Sequence, residues 1–369
     1  MSFARLDLRA LAREEVRALP LYAPDLAVCA LDLSDNTSLW GPAPAARSAL
    51  TTAAEAGGVA SRYPSLYSTP LRAAILRYVG LEATLGSGIV TGCGSDDVID
   101  ATMRAFASGG DRIAASVPTF SMIGTFARLN GLDLVPVPLT ERYDVDAERL
   151  VSAGAKITYL CTPNNPTATA LSRDAVEYVV AHAAGVVLLD EAYAEFAPET
   201  FVDLVPRYEN LLVTRTFSKA FGLAGLRVGY GVGSTALVGL IERARGPYKV
   251  NSFAERAVLA SLEETDDALG WVRAHANLAT VNRDRLAASL LSLGLAPLPS
   301  AANFVFIPTS QAESIALALR ERGILVRALS GLPIDLPCLA ASKGHALRIG
   351  VGPWAVMEQL LGALSEVLA

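Results

Sequence analysis

From about residue 65 onward the spacing of apolar positions alternates between two patterns. Spacing of three to four residues over 71–80 (LRAAILRYVG), 96–107 (DDVIDATMRAFA) and 172–184 (SRDAVEYVVAHAA) predicts amphipathic helices. Short apolar runs predict strands at 112–117 (RIAASV), 156–163 (KITYLCTP), 186–193 (VVLLDEAY), 211–218 (LLVTRTFS) and 227–233 (RVGYGVG). Helices and strands in this order describe an α/β domain with a mostly parallel sheet flanked by helices.

Beyond about 255 the pattern turns helical for some forty residues (253–294), enough to carry the chain into a second domain. Strands over 303–309, 324–329 and 346–352 and helices over 310–323 and 354–369 then make a smaller α+β unit. Ahead of the large domain, a short charged helix, Pro20 and Pro24, and an apolar stretch ending in LDLSDN read as an arm. The expected division is an arm over 1–40 that joins the small domain, a large domain over 41–262 and a small domain over 263–369.

Composition narrows the function. A chain of 369 residues, 52% hydrophobic and 18% charged, can bury a substantial core. Net charge is -6 with no block of like charges, which argues against nucleic acid as a partner. Small anionic substrates would then be caught by local arginines. Cys29, Cys93, Cys161 and Cys338 are far apart and show no metal-ligand spacing, so buried free thiols are expected and no metal site. The N-terminal stretch is charged throughout, unlike a signal peptide, and no apolar run reaches the roughly 18 residues a membrane span needs. A cytoplasmic protein is expected.

The chain carries four lysines, Lys156, Lys219, Lys249 and Lys343, against 27 arginines. Lys219 lies in RTFSKAFGLAGLRVGY, just after an apolar strand. An amine partly withdrawn from water there can lose its proton and act as a nucleophile. Asp190 and Tyr193 close the strand VVLLDEAY at the carboxyl edge, where open α/β sheets place ligands. A carboxylate in that place can keep a pyridine nitrogen protonated, which makes the ring an electron sink. Asn164 and Asn165 stand on a turn after another strand, and Asn165 can donate to a ring oxygen. Arg227 and the TGCGSDD turn, with Gly94 and Ser95 opening a helix, describe a phosphate monoester site. Competing readings are weaker: there is no P-loop for Asp190 and Glu191 to serve, and Asp97 fills the third glycine position of a dinucleotide fingerprint. Gly229, Gly231 and Gly233 read as close-packing positions in a strand.

With these residues in order, RYP, GSDD, PTFSM, PNNPT, DEAY, SKAFGLAGLR and LRIGVG, the chain resembles fold type I pyridoxal-phosphate aminotransferases, and within them the histidinol-phosphate aminotransferase branch. The resemblance implies pyridoxal 5'-phosphate held by Lys219 as a Schiff base, with Asp190 on the pyridinium nitrogen and Asn165 and Tyr193 on the ring hydroxyl. It places Phe120 on the ring face and Gly94, Ser95, Asp96, Thr216, Ser218 and Arg227 around the phosphate. It implies a homodimer in which Tyr63 reaches the neighbouring subunit's phosphate. Arg348, helped by Arg327, Tyr22 and Asn36, would bind the substrate.

The implied reaction is transamination of histidinol phosphate or a related, for example aromatic, amino acid, with a keto acid such as 2-oxoglutarate as acceptor. Alternatives are a decarboxylase or lyase of the same fold acting on a phosphorylated amino acid, and a non-catalytic cofactor-binding regulatory module. Three positions depart from the family pattern. DNTSLWGP stands for the Asn-Glu-Asn-Pro segment at the substrate pocket, Ala168 for the glycine after PNNPT, and Cys93 for an asparagine before Gly94-Ser95. Ala168 is expected to be tolerated if its backbone does not need positive φ.

Overall fold

The structure, a computed structural model, describes residues 7–21, 28–82, 84 and 86–369. The first strand, β1 (Leu31–Asp32), precedes a seven-stranded sheet made of β2 (Ser87–Gly92), β3 (Arg112–Val117), β4 (Asp133–Pro138), β5 (Ile157–Cys161), β6 (Val186–Asp190), β7 (Leu211–Thr216) and β8 (Gly229–Ser234). Their order is β2-β8-β7-β6-β5-β3-β4. Only β8 runs against its neighbours, pairing antiparallel with both β2 and β7. The large domain is therefore the mostly parallel α/β sheet expected.

Burial explains the order. Every residue of β5, β6 and β7 is buried, as strands covered by helices on both faces must be. At the edge, β4 exposes Asp133, Leu134 and Pro136, and its two prolines offer no N–H to a further strand. The carboxyl ends of β5 to β7 thus sit mid-sheet, on its most buried part.

The small unit holds β9 (Phe304–Pro308), β10 (Ile324–Leu325), β11 (Arg327–Leu329) and β12 (Ala346–Gly350), with β11-β12-β9 forming an antiparallel sheet. The single strand expected over 324–329 divides at Val326. Ile324 and Leu325 pair in parallel with β1, whereas Arg327 to Leu329 pair with β12. Both pieces are apolar enough to read as one run, but they belong to different sheets. Likewise the helical stretch from 253 breaks into Ser252–Ser261 and Leu269–Ser292. The polar run 263–267 lies in the break, and Thr265 Oγ1 bonds Asp267 Oδ1 there at 2.7 Å.

The arm divides its contacts. Arg13 donates to Leu129 O at 3.0 Å on the large domain, while Leu33 is buried in the small core with Leu286, Leu290, Val305 and Ile349. All four cysteines are free, but only Cys161 is buried and Cys93 is exposed, so burial of all four thiols is not what is found.

Candidate active site

The carboxyl ends of β5, β6 and β7 converge on one buried carboxylate. Asp190 is 4% exposed; Tyr159 Oη donates to its Oδ2 at 2.8 Å, and Ala192 N–H and Thr214 Oγ1 donate to Oδ1 at 3.1 and 3.4 Å. Burial raises its pKa to about 6 in spite of these donors, the Tyr159 hydroxyl foremost among them. A carboxylate so poorly solvated is a strong acceptor for a cationic N–H. Its neighbour Glu191 has a different task, because Arg215 binds its Oε2 at 2.7 Å and Thr200 and the Phe201 N–H take the rest. That pairing removes the metal reading of the Asp190-Glu191 pair; among the described residues no cluster fit to hold a metal is found.

Lys219 follows β7 by three residues and is half buried. Its Nζ donates to Asp35 O at 3.0 Å and lies 5.9 Å from the centre of the Tyr193 ring. Burial lowers the pKa of this amine to about 8, with Asp35 opposing and Arg348 adding to the shift. Tyr193 accepts a hydrogen bond from Asn36 Nδ2 at 3.2 Å and packs edge-on against Phe304. Burial pushes its hydroxyl up to about 12, against the pull of Arg348. Arg348, on β12, donates to Asn165 Oδ1 at 2.8 Å and to Ser34 O at 2.6 Å. With Oδ1 so engaged, Asn165 keeps its amide nitrogen as the donor side. Two domains and the arm therefore meet within a few hydrogen bonds.

The phosphate turn is built by close approach. A Cβ on Gly229 would lie 2.1 Å from the Ser95 amide nitrogen, so glycine there lets β8 pass directly beneath the start of the helix Ser95–Phe106. Gly94 has φ of +82°, and a Cβ on it would come 2.6 Å from Arg227 Nη2. Arg227 itself is in the left-handed region and faces Asp96 at 3.7 Å. Burial raises the pKa of Asp96, and Arg227 opposes the rise. Thr216 and Ser218 are buried and bonded to each other through their hydroxyls at 3.0 Å. Phe120 is half buried against the cluster that contains Ile99 and Tyr159. The result is a helix N-terminus, a guanidinium and hydroxyls around a cradle kept open by two glycines.

Other sequence-derived positions fall differently. Tyr63 is 83% exposed and stacks on Tyr248 of the same chain, with ring centres 4.9 Å apart. Arg327 is the cross-strand partner of Arg348, so both guanidinium stems leave the same face of the small sheet. Asn36 is 2% exposed with φ of 58°, and its Oδ1 and that of buried Asn303 are unpartnered. Tyr22 lies outside the described residues. Ala168 overturns the expectation set for it: its φ is +65° and it is fully buried, so a side chain is held where glycine is favoured. The reason is local, since Ala168 N–H must reach Asn164 O at 2.7 Å while its carbonyl accepts from Ala301.

The sequence reading missed Tyr159, Ser34, Asp35 and Asn303 as neighbours of the site. Asp35 opens the DNTSLWGP segment, whereas the other three lie in no motif and only the fold brings them in. Asn164 is a staple: it accepts from Thr119 and donates to Pro118 O and Thr167, tying the loops after β3 and β5. A cavity of about 520 Å³ lies at the amino ends of the strands, near Lys156, Gly185 and Asn210, far from this chemistry.

A mid-sheet carboxylate, an amine of lowered pKa one strand away and a glycine-opened anion cradle fit pyridoxal phosphate in three separate places: ring nitrogen, carbonyl and phosphate. Fold and site together define a fold type I pyridoxal-phosphate-dependent aminotransferase. The chain belongs to the class I and II aminotransferase family, whose pattern matches residues 28–364, and within it is histidinol-phosphate aminotransferase-like. It is 37% identical to a histidinol-phosphate aminotransferase of Roseiflexus castenholzii over 98% of this chain and 99% of that protein. A histidinol-phosphate aminotransferase of Desulfitobacterium hafniense is 32% identical over 99% of both chains. The crystal structure of the Sinorhizobium meliloti histidinol-phosphate aminotransferase in complex with pyridoxal-5'-phosphate superposes with a TM-score of 0.84 at 26% identity, covering 100% of this chain and 98% of that one.

Proposed function

We propose that this chain binds pyridoxal phosphate and transaminates histidinol phosphate or a related amino acid, aromatic ones included, with a keto acid such as 2-oxoglutarate as acceptor. The observation that carries the substrate side is Arg348. It leaves the small sheet beside Arg327 and is bonded to Asn165 on the loop after β5, and its guanidinium is close enough to Lys219 to help lower the pKa of that amine. Like charges paired across strands repel each other, and a bound anion relieves the repulsion.

Bound there, the cofactor supplies an electrophilic carbonyl and a ring that disperses the electron pair of a bond broken at the substrate's α-carbon. Lys219 is the base that takes a proton from that carbon and returns one. Its lowered pKa suits that work near neutral pH. Asp190 holds the ring-nitrogen proton, Asn165 and Tyr193 orient the ring through its hydroxyl, and Phe120 covers one face. Gly94, Ser95, Asp96, Thr216, Ser218 and Arg227 surround the phosphate. Asn36 fixes the Tyr193 hydroxyl at the pocket wall.

The same reading makes the protein a cytoplasmic homodimer, with exposed Tyr63 reaching the phosphate of the second copy. Among the described residues no helix is long and apolar enough to cross a membrane. The arm over 1–40 and the segment 263–369 form the small domain against a cofactor domain over 41–262; the pairing of β1 with β10 supports joining the arm to it.

The test is a spectral screen of the full-length protein, loaded with cofactor, against amino compounds that include histidinol phosphate. Transamination yields one keto product per cofactor converted to its amine form. Release of carbon dioxide instead identifies a decarboxylase. A cofactor that no amine discharges would show a binding module and overturn the proposal.

A further inference from the structure

The helix that opens at the phosphate turn begins with two carboxylates, Asp96 and Asp97. An anion is favoured at a helix N-terminus, but fixed negative charges beside it work against a phosphate dianion. The chain treats the two acids differently. Asp96 is 42% exposed and faces Arg227. Asp97 is 13% exposed, and both its oxygens are used: Oδ2 accepts the Cys93 N–H at 3.0 Å and Oδ1 accepts Lys249 Nζ at 2.7 Å.

Lys249 is one of only four lysines in the chain. The segment that delivers it is fixed from both sides. Arg245 pairs with Glu242 at 2.7 Å and donates to Leu66 O at 3.3 Å, and Tyr248, in the left-handed region, stacks on Tyr63. The ammonium is thus brought to the turn by contacts other than its own ion pair. Asp97 in turn shapes the backbone, because the Cys93 N–H it accepts lies directly ahead of Gly94.

We propose that Lys249 is a positioning residue for the cofactor phosphate: it neutralises Asp97, so that the Cys93-Gly94-Ser95 turn keeps its shape without a bare carboxylate facing the dianion. The inference rests on the cofactor reading above and adds to it a residue outside the motifs that carry the family resemblance. Removing the ammonium alone leaves a mostly buried charge without its partner, the costly half of breaking an ion pair. Removing both charges does not.

The experiment compares binding of pyridoxal phosphate with binding of pyridoxal, the same ring without the phosphate, to full-length proteins freed of cofactor. Lys249→Met is expected to weaken pyridoxal phosphate about tenfold, the scale of one unit-charge interaction across about 12 Å at an effective dielectric constant of about 20, and pyridoxal less than about twofold. Lys249→Arg should restore wild-type affinity to within about threefold, and the double variant Asp97→Asn/Lys249→Met should recover most of the loss. Equal weakening of both ligands by Lys249→Met, no weakening of either, or a double variant as weak as the single one overturns the inference. A wild-type chain without affinity for pyridoxal phosphate overturns the cofactor reading as well.

Discussion

The two halves of the site are built to different standards. On the large-domain side the polar groups of Asp190, Asn164, Thr216 and Ser218 are bonded to one another or to backbone across loops that leave the rigid middle of the sheet. On the side formed by the arm and the small domain, two buried amide oxygens, Asn36 Oδ1 and Asn303 Oδ1, are unpartnered, and Arg327 stands beside Arg348. A buried polar atom without a partner costs on the order of 1–3 kcal/mol, so the second half carries a strain that a ligand or water can relieve. The cofactor half is preorganised. On the proposed reading the substrate half is organised by what it binds, and its DNTSLWGP segment is the longest of the three departures from the family pattern.

The sharpest way to break this comparison is Lys219→Ala, which should lower turnover by at least roughly a thousandfold if the amine is the base at the α-carbon. Steady-state assay of keto product checks it; a residual rate near wild type would remove Lys219 from the chemistry.

Asp190 tests preorganisation through pH. Its carboxyl, raised from 3.8 to about 6 by burial, is protonated in folded and unfolded chains alike below about pH 4, and no stability is lost there. Above about pH 6 the cofactor-free fold bears the full cost of the buried charge, about 3 kcal/mol for a shift of this size. Asp190→Asn never bears it. The stability of the cofactor-free variant relative to wild type should therefore rise by about that amount between pH 4 and pH 7, as read by urea unfolding, while activity is lost. A difference that stays flat with pH would mean that the carboxylate is not destabilised in the fold.

On the substrate half, Arg348→Ala should raise KM for anionic substrates by roughly 10- to 100-fold, the worth of hydrogen bonds to a charged group, with a smaller change in kcat. An unchanged KM for every anionic substrate would take the arginine out of the binding site.

The smallest effect concerns Ala168. Its left-handed backbone costs an L-residue about 1–2 kcal/mol, and glycine gives back part of that through its freer unfolded chain. Ala168→Gly should accordingly stabilise the protein by about 0.5–1 kcal/mol with no change in kcat. A loss of thermal stability in calorimetry would show that the methyl group contributes more to packing than the backbone conformation costs.

Much of the cofactor half was legible in the sequence. Strand ends followed by short polar motifs, such as VVLLDEAY and TRTFSK, place Asp190 and Lys219 at one sheet edge whatever the fine packing, because parallel strands all present their carboxyl ends together. Other features were not legible. The division of ILVRAL between two sheets depends on which partner strand lies beside each half, and that is a property of the assembled small domain. Tyr159 gives no sign in its own strand that its hydroxyl will meet Asp190 one strand away.

By itself, then, the sequence determined the class of fold and set Asp190 and Lys219 at one edge of the sheet, since local periodicity and strand-end motifs are short-range information. The tertiary structure alone decided that Arg348 meets Asn165, that Asn36 meets Tyr193 and that Lys249 meets Asp97. Each of these pairs joins residues more than 150 positions apart. The first two follow from how β1, β10 and β12 close the small domain over the large sheet, and the third from how the segment 245–251 packs on the start of the helix Ser95–Phe106; no local pattern encodes either.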